Sequence, residues 1–111
     1  MQAYEFADIF RQQQAGGRLY LEFLREHSMS IGLYVLPAGG VDGQQPHTED
    51  EVYYVVSGRG RFTAAGEDIA VQTGSILFVP AHEEHRFHSI EEDLRILVVF
   101  APAEYSARNP S

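Results

Sequence analysis

Residues 39–58 read GGVDGQQPHTEDEVYYVVSG, and residues 74–89 read GSILFVPAHEEHRFHS. The first stretch carries His47 and Glu51, and the second brings His85 at the start of a new apolar run. Side chains two or four apart share one face of an extended chain. Gln45, His47, Glu49 and Glu51 can therefore point the same way if residues 45–51 are extended. Two nearby ligands set one edge of a metal site, and a distant one closes it. Two imidazoles with one carboxylate suit the facial triad of Fe(II), and equally the His2Glu set of catalytic zinc. Spacing alone does not choose between them.

Around these stretches, short apolar runs alternate with turn signals. The runs are RLYLEFLRE (18–26), SIGLYVLP (30–37), EVYYVVS (51–57), GRFTAA (60–65), DIAVQ (68–72), SILFVP (75–80), HRFHSI (85–90) and LRILVVFA (94–101). Gly39-Gly40, Asp42-Gly43, Ser57-Gly58, Ala65-Gly66, Thr73-Gly74 and the acidic Glu91–Asp93 punctuate them, the last read as a solvated turn. Before them, residues 3–14 form a rough apolar stripe of Tyr4, Phe6, Ile9 and Phe10, which predicts a short helix ended by Gly16-Gly17. Many short strands with one helix predict an all-β sandwich or barrel. The expected layout is one domain over 1–111, with the barrel at about 18–101 and a tail from 102.

Composition narrows the function. The chain has 111 residues, 44% of them hydrophobic and 12% aromatic, which suits a folded domain of modest core. Eight basic against sixteen acidic residues leave a net charge of −8. A surface of that sign argues against nucleic acid or anionic membrane as a partner. The absence of Cys excludes disulfides, thiolate metal sites and Cys nucleophiles. The start, MQAYEFADIF, lacks the pattern of a signal peptide, and no apolar stretch approaches the ~20 residues of a membrane span. A soluble, cytoplasmic protein is expected. No phosphate-cradling loop, G-x-S-x-G elbow or hydrolytic triad is recognisable.

The two quoted stretches resemble the two motifs of the small single-domain cupins. In the first motif, Gly39, His47, Glu51 and Gly58 fall on the family's positions, and Gln45 stands where the first His belongs. In the second, Gly74, Pro80 and His85 fall into place, with His82 replacing Gly and Ser89 replacing Asn. The resemblance implies a cupin double-stranded β-helix, or jelly-roll barrel. It also implies that His47, Glu51 and His85 ligate one divalent metal ion (Fe, Zn, Mn or Ni). Gln45 takes the fourth ligand's place, either on the metal or hydrogen-bonded to a metal-bound water.

Other residues are read more plainly. His82 is a substitute ligand, a proton shuttle or a surface residue. Glu49 is read as an exposed or rim residue, and His27 and His88 as surface or structural. Tyr34, Tyr53, Phe78 and Phe87 fit a barrel interior; of these, Tyr53, Phe78 and Phe87, with His82, are the candidates for a pocket holding a small-molecule substrate. The expected function is a metalloenzyme of dioxygenase type, with isomerase and decarboxylase chemistry open. The alternative is a non-catalytic cupin that binds a small ligand or metal, or a barrel without metal. The run Leu19–Leu24 is apolar on both faces, more than one buried face requires. The resemblance implies pairing, often through the strands before the first motif, and this run could supply the interface, so a homodimer is expected; light scattering at the mass of a single chain would contradict it.

Overall fold

The computed structural model describes residues 1–43 and 46–106. One helix, α1 (Phe6–Gly16), precedes six strands: β1 (Tyr20–Arg25), β2 (Ser30–Leu36), β3 (Asp50–Ala64), β4 (Glu67–Gln72), β5 (Ile76–Val79) and β6 (His85–Ala101). They form one antiparallel sheet in the order β1-β2-β6-β3-β4, with β5 also pairing β3. The mostly β architecture with a short helix is the one the sequence predicts.

The helix starts and stops later than expected. Glu5 is still extended, and Gly17 closes the last turn in the left-handed region at φ 72. Buried Ile9, flanked by Phe6 and Phe10, packs on Leu33, Val35, Leu21, Phe23 and Leu97. The Arg95 guanidinium sits 4.0 Å above the centre of the Phe10 ring. Leu21 and Phe23 thus lie under α1, while Tyr20 on the other face of β1 packs against the main core. Both apolar faces of β1 find partners within the chain.

Four expected strands are two. Residues 51–57 and 60–65 join into β3, and residues 85–90 and 94–101 join into β6. Ser57-Gly58 is a bulge, not a turn: the β3–β6 register shifts between Val55 and Ser57, Ser57 and Arg59, and Arg59 and Arg61. The acidic cluster is exposed, as expected, but lies within β6, where Arg59 pairs with Glu91 at 2.9 Å across the ladder.

The burial pattern records these bulges. Along β3 the buried positions are Glu51, Tyr53 and Val55, then Gly60 and Phe62. Along β6 they are His85 and Phe87, then Ile90, Leu94, Ile96, Val98 and Phe100. Each strand changes from odd to even positions at the same place, beside Gly58 at φ 100 and Ser89 at φ 49. The switch keeps the apolar side inward while the ribbon turns a corner. The core inside it holds Tyr34, Leu36, Tyr53, Val55, Phe62, Phe87, Leu94, Ile96 and Phe100, among others.

Gly58 is required at that corner. A Cβ there would stand 2.1 Å from the Asp93 carbonyl oxygen, and its φ is one that side chains rarely adopt. Gly58→Ala should therefore destabilise the protein by about 1–3 kcal/mol, read as a lower urea midpoint at unchanged slope.

Candidate metal centre

His47 lies in the loop before β3, Glu51 is the second residue of β3, and His85 is the first of β6. In the β3–β6 ladder Glu51 faces Phe100, whereas His85 faces Ala64 at the other end. A flat ladder would hold positions 51 and 64 about 40 Å apart. The bend at the bulges closes that gap: Glu51 Oε1 lies 2.7 Å from His85 Nε2 and 3.7 Å from His47 Nδ1. Potential ligand atoms of the three residues all fall within 4.8 Å of one another. All three residues are buried, Glu51 to 2% exposure.

Neighbouring groups fix this arrangement. The His85 Nδ1–H donates to the Glu83 carbonyl at 2.7 Å, which turns Nε2 toward Glu51. The Tyr53 hydroxyl is 2.9 Å from the same Nε2. His82 N–H donates to the His47 carbonyl at 2.7 Å, and Ala81 N–H donates to Asp50 Oδ1 at 2.9 Å, tying together the two loops that carry the histidines. Asp42 anchors the first loop, accepting from the Tyr34 hydroxyl at 2.7 Å and from Phe87 N–H at 2.9 Å.

Two atoms of the cluster, His47 Nδ1 and Glu51 Oε2, are buried with no hydrogen-bond partner among the described residues. Buried polar atoms are ordinarily satisfied. An orphaned nitrogen and an orphaned carboxylate oxygen in one cluster are what a cation would bridge. The donor set of two imidazoles and a carboxylate fits a divalent transition metal.

The electrostatics agree. Burial disfavours a charge on His47, but the hydrogen bond to Glu104 and the Glu51 carboxylate 3.7 Å from Nδ1 outweigh it and raise its pKa from 6.5 to about 9. His85 is also raised: burial opposes its charge, and the bonds to Glu51 and the Glu83 carbonyl overcome it. Burial pushes Glu51 up, but the two histidines pull it below its ordinary value. Protons and a metal therefore compete for the same atoms.

The remaining sequence candidates are placed as follows. Tyr53 and Phe87 are buried, their rings edge-to-face at 5.0 Å. Phe78, expected inside, is 64% exposed, because β5 turns it to the outer face beside Val52. His82 is exposed at φ 68, in the left-handed conformation that the family's glycine would adopt. It lines a cavity of about 910 Å³ together with His85 and residues of the 63–66 and 80–86 segments. Glu49, expected at the rim, is 1% exposed, because β3 begins only at Asp50 and the loop before it turns Glu49 inward onto the Tyr105 N–H. His27 is exposed, and His88 contacts Thr63 and Asp68 away from the cluster. Gln45 lies outside the described residues.

Two residues near the site fall outside both motifs. Glu104 Oε2 is 2.9 Å from His47 Nε2. Tyr20 has a buried hydroxyl with no partner among the described residues. Burial, then the charges of Glu104, Glu22 and Glu51, push that hydroxyl far above its ordinary range, so it stays a neutral donor. One carboxylate and one tyrosine in ordinary surroundings carry no sequence signal.

Residues 32–100 match the Cupin domain family. The chain is 50% identical to the uncharacterized protein SCO3923 of Streptomyces coelicolor over 104 residues, 94% of this chain and 99% of that one. It is 36% identical to an acireductone dioxygenase of Bacillus pumilus over 58 residues, 48% of this chain and about a third (32%) of that enzyme's length. Among solved structures, TT1209 from Thermus thermophilus superposes with a TM-score of 0.73 at 22% identity, covering 93% of this chain and 99% of that one. An RmlC-like cupin from Shewanella frigidimarina superposes with a TM-score of 0.68 at 21% identity, over 76% of this chain and 75% of the other. No described helix is long and apolar enough to cross a membrane.

The raised His47 pKa lends the metal-free protein stability that is fully present below pH 6.5 and lost as pH rises through about 9. The lowered Glu51 pKa lends stability present above pH 4.5 and lost on acidification. The Tm without metal should therefore fall from pH 6.5 to 10. Metal affinity should rise over the same range, with proton release visible in calorimetry across buffers of different ionisation heat.

Proposed function

This chain belongs to the cupin family, and on that premise we propose that it binds one divalent metal ion through His47, Glu51 and His85 and acts on a small molecule. The observation that carries the reading is the buried cluster in which His47 Nδ1 and Glu51 Oε2 lack partners. A bound ion would supply Lewis acidity and a place where O2 and substrate meet. The chain's own residues do the rest. His85 presents Nε2 because the Glu83 carbonyl holds Nδ1–H. Tyr53 offers a hydroxyl beside that nitrogen, where it can steady a proton or a polar substrate atom. Phe100 beside His47 and Phe62 beside His85, with Phe87 packed behind Phe62, wall the cluster with apolar rings and limit water around it.

The proposed reaction is dioxygenation, in which both oxygen atoms enter a substrate that itself supplies the electrons. Support comes from the Fe(II)-type ligand set and from the 36% identity to an acireductone dioxygenase over an aligned stretch of 58 residues. An acireductone-like enediol is accordingly the first substrate class to test. The cavity of about 910 Å³ beside His85 can hold a compound of that size. A second reading, a non-catalytic metal or ligand binder, is favoured by the low exposure of the ligands, 7% for His47 and 8% for His85.

Metal content of the purified protein is expected to be near one ion per chain and to be lost in His47→Ala and His85→Ala. Equal, stoichiometric metal in wild type and both variants would overturn the assigned ligands. Oxygen uptake by the Fe(II)-loaded protein with enediols, diketones, phenols, flavonols and thiols then separates the two readings. Uptake with one class supports the oxygenase; full metal loading with no uptake supports the binder.

A further inference from the structure

After β6 the chain turns back over the site instead of leaving it. Ala103 is buried at 2% exposure. Glu104 N–H donates to Ser30 Oγ at 2.8 Å, and the Glu104 carbonyl accepts from Arg25 Nη2 at 2.7 Å. Tyr105 N–H donates to Glu49 Oε1 at 2.8 Å, and the Tyr105 ring stacks beside His47 at 5.8 Å. Three separate elements thus hold the backbone around Glu104. Its side chain is 12% exposed, and Oε2 lies 2.9 Å from His47 Nε2. The other ring nitrogen, Nδ1, is the orphaned atom that faces Glu51.

We infer that Glu104 is a positioning residue: it holds the Nε2–H of His47, so that Nδ1 is the nitrogen presented to a metal. The inference rests on the ion site proposed above and adds to it a residue from outside both motifs. An imidazole whose N–H is held by a carboxylate keeps its lone pair on the opposite nitrogen. The carboxylate also makes that nitrogen a stronger donor. With Glu51 on one side of His47 and Glu104 on the other, two negative charges stand where a divalent ion brings two positive ones. Glu49 serves the same end indirectly, since it accepts the Tyr105 N–H and so holds the backbone next to Glu104.

The test compares wild type, Glu104→Ala, Glu104→Gln and Ser30→Ala in the full chain, with Zn(II) affinity and proton NMR of the Co(II)-loaded protein as readouts. Glu104→Ala is expected to weaken Zn(II) binding by about 10–100-fold. Glu104→Gln keeps an acceptor oxygen and should fall between Ala and wild type. Ser30→Ala loosens the segment without touching the carboxylate and should bind close to wild type. The metal-shifted, slowly exchanging N–H resonance of His47 should persist in wild type and Glu104→Gln and vanish in Glu104→Ala. Unchanged affinity or an unchanged resonance in Glu104→Ala would overturn the inference while leaving the ion site standing. A loss in Ser30→Ala as large as in Glu104→Ala would reduce Glu104 to a structural role and overturn it too. Wild type that takes up no metal overturns the ion site itself, and the inference with it. Should Glu104→Ala fail to fold, the isosteric Glu104→Gln decides: several-fold weaker binding supports the inference, and wild-type binding overturns it.

Discussion

Antiparallel pairing between β3 and β6, bent on itself at its bulges, is the constraint on which the other features depend. The two strands place their candidate ligands at opposite ends of one ladder, and only the bend brings Glu51 to within 2.7 Å of His85. The same bend closes the apolar core around Tyr53, Phe62 and Phe87. Barrel closure and assembly of the candidate site are therefore one event. The other strands widen this ribbon: β2 and β1 extend it on the β6 side, and β4 and β5 pair with β3.

The interior so formed contains an unusual amount of charge for a small barrel. Glu49, Glu51, His47 and His85 are all buried. Removing such groups from water is costly unless each finds a partner. Glu49 finds the Tyr105 backbone, and His85 finds the Glu83 carbonyl and Glu51. His47 finds Glu104 on one side only. Among the described residues, the unpartnered atoms His47 Nδ1 and Glu51 Oε2 belong to one cluster, the arrangement expected of a group that could hold a cation.

Much of this was legible in the chain, and the failures have physical causes. Glycine-bounded apolar runs and the spacing of His47, Glu51 and His85 point to the barrel and to the three clustered residues. Only the resemblance to the cupin motifs separates Glu51 from Glu49, and Glu49 is buried as well. Gly58 looked like a turn because sequence does not distinguish a glycine that reverses the chain from one that absorbs a bulge. Phe78 looked like core, yet alternation along a four-residue strand depends on where pairing begins, and β5 turns it outward. Glu104 could not be found at all. It is one of sixteen acidic residues, and its place follows from how residues 102–106 fold back across Ser30, Arg25 and Glu49. Contacts of that kind are set by tertiary structure alone.

The bent ribbon also bears on the order of events as the chain folds. Partners such as Glu51 and Phe100, or Val52 and Val99, are far apart in sequence, so the ladder has few local contacts to nucleate it. Such topologies fold slowly, in roughly milliseconds to seconds. His47, Glu51 and His85 meet only after the corner has formed. An ion held by them would thus favour the bent ribbon over the open one, coupling metal binding to closure of the barrel.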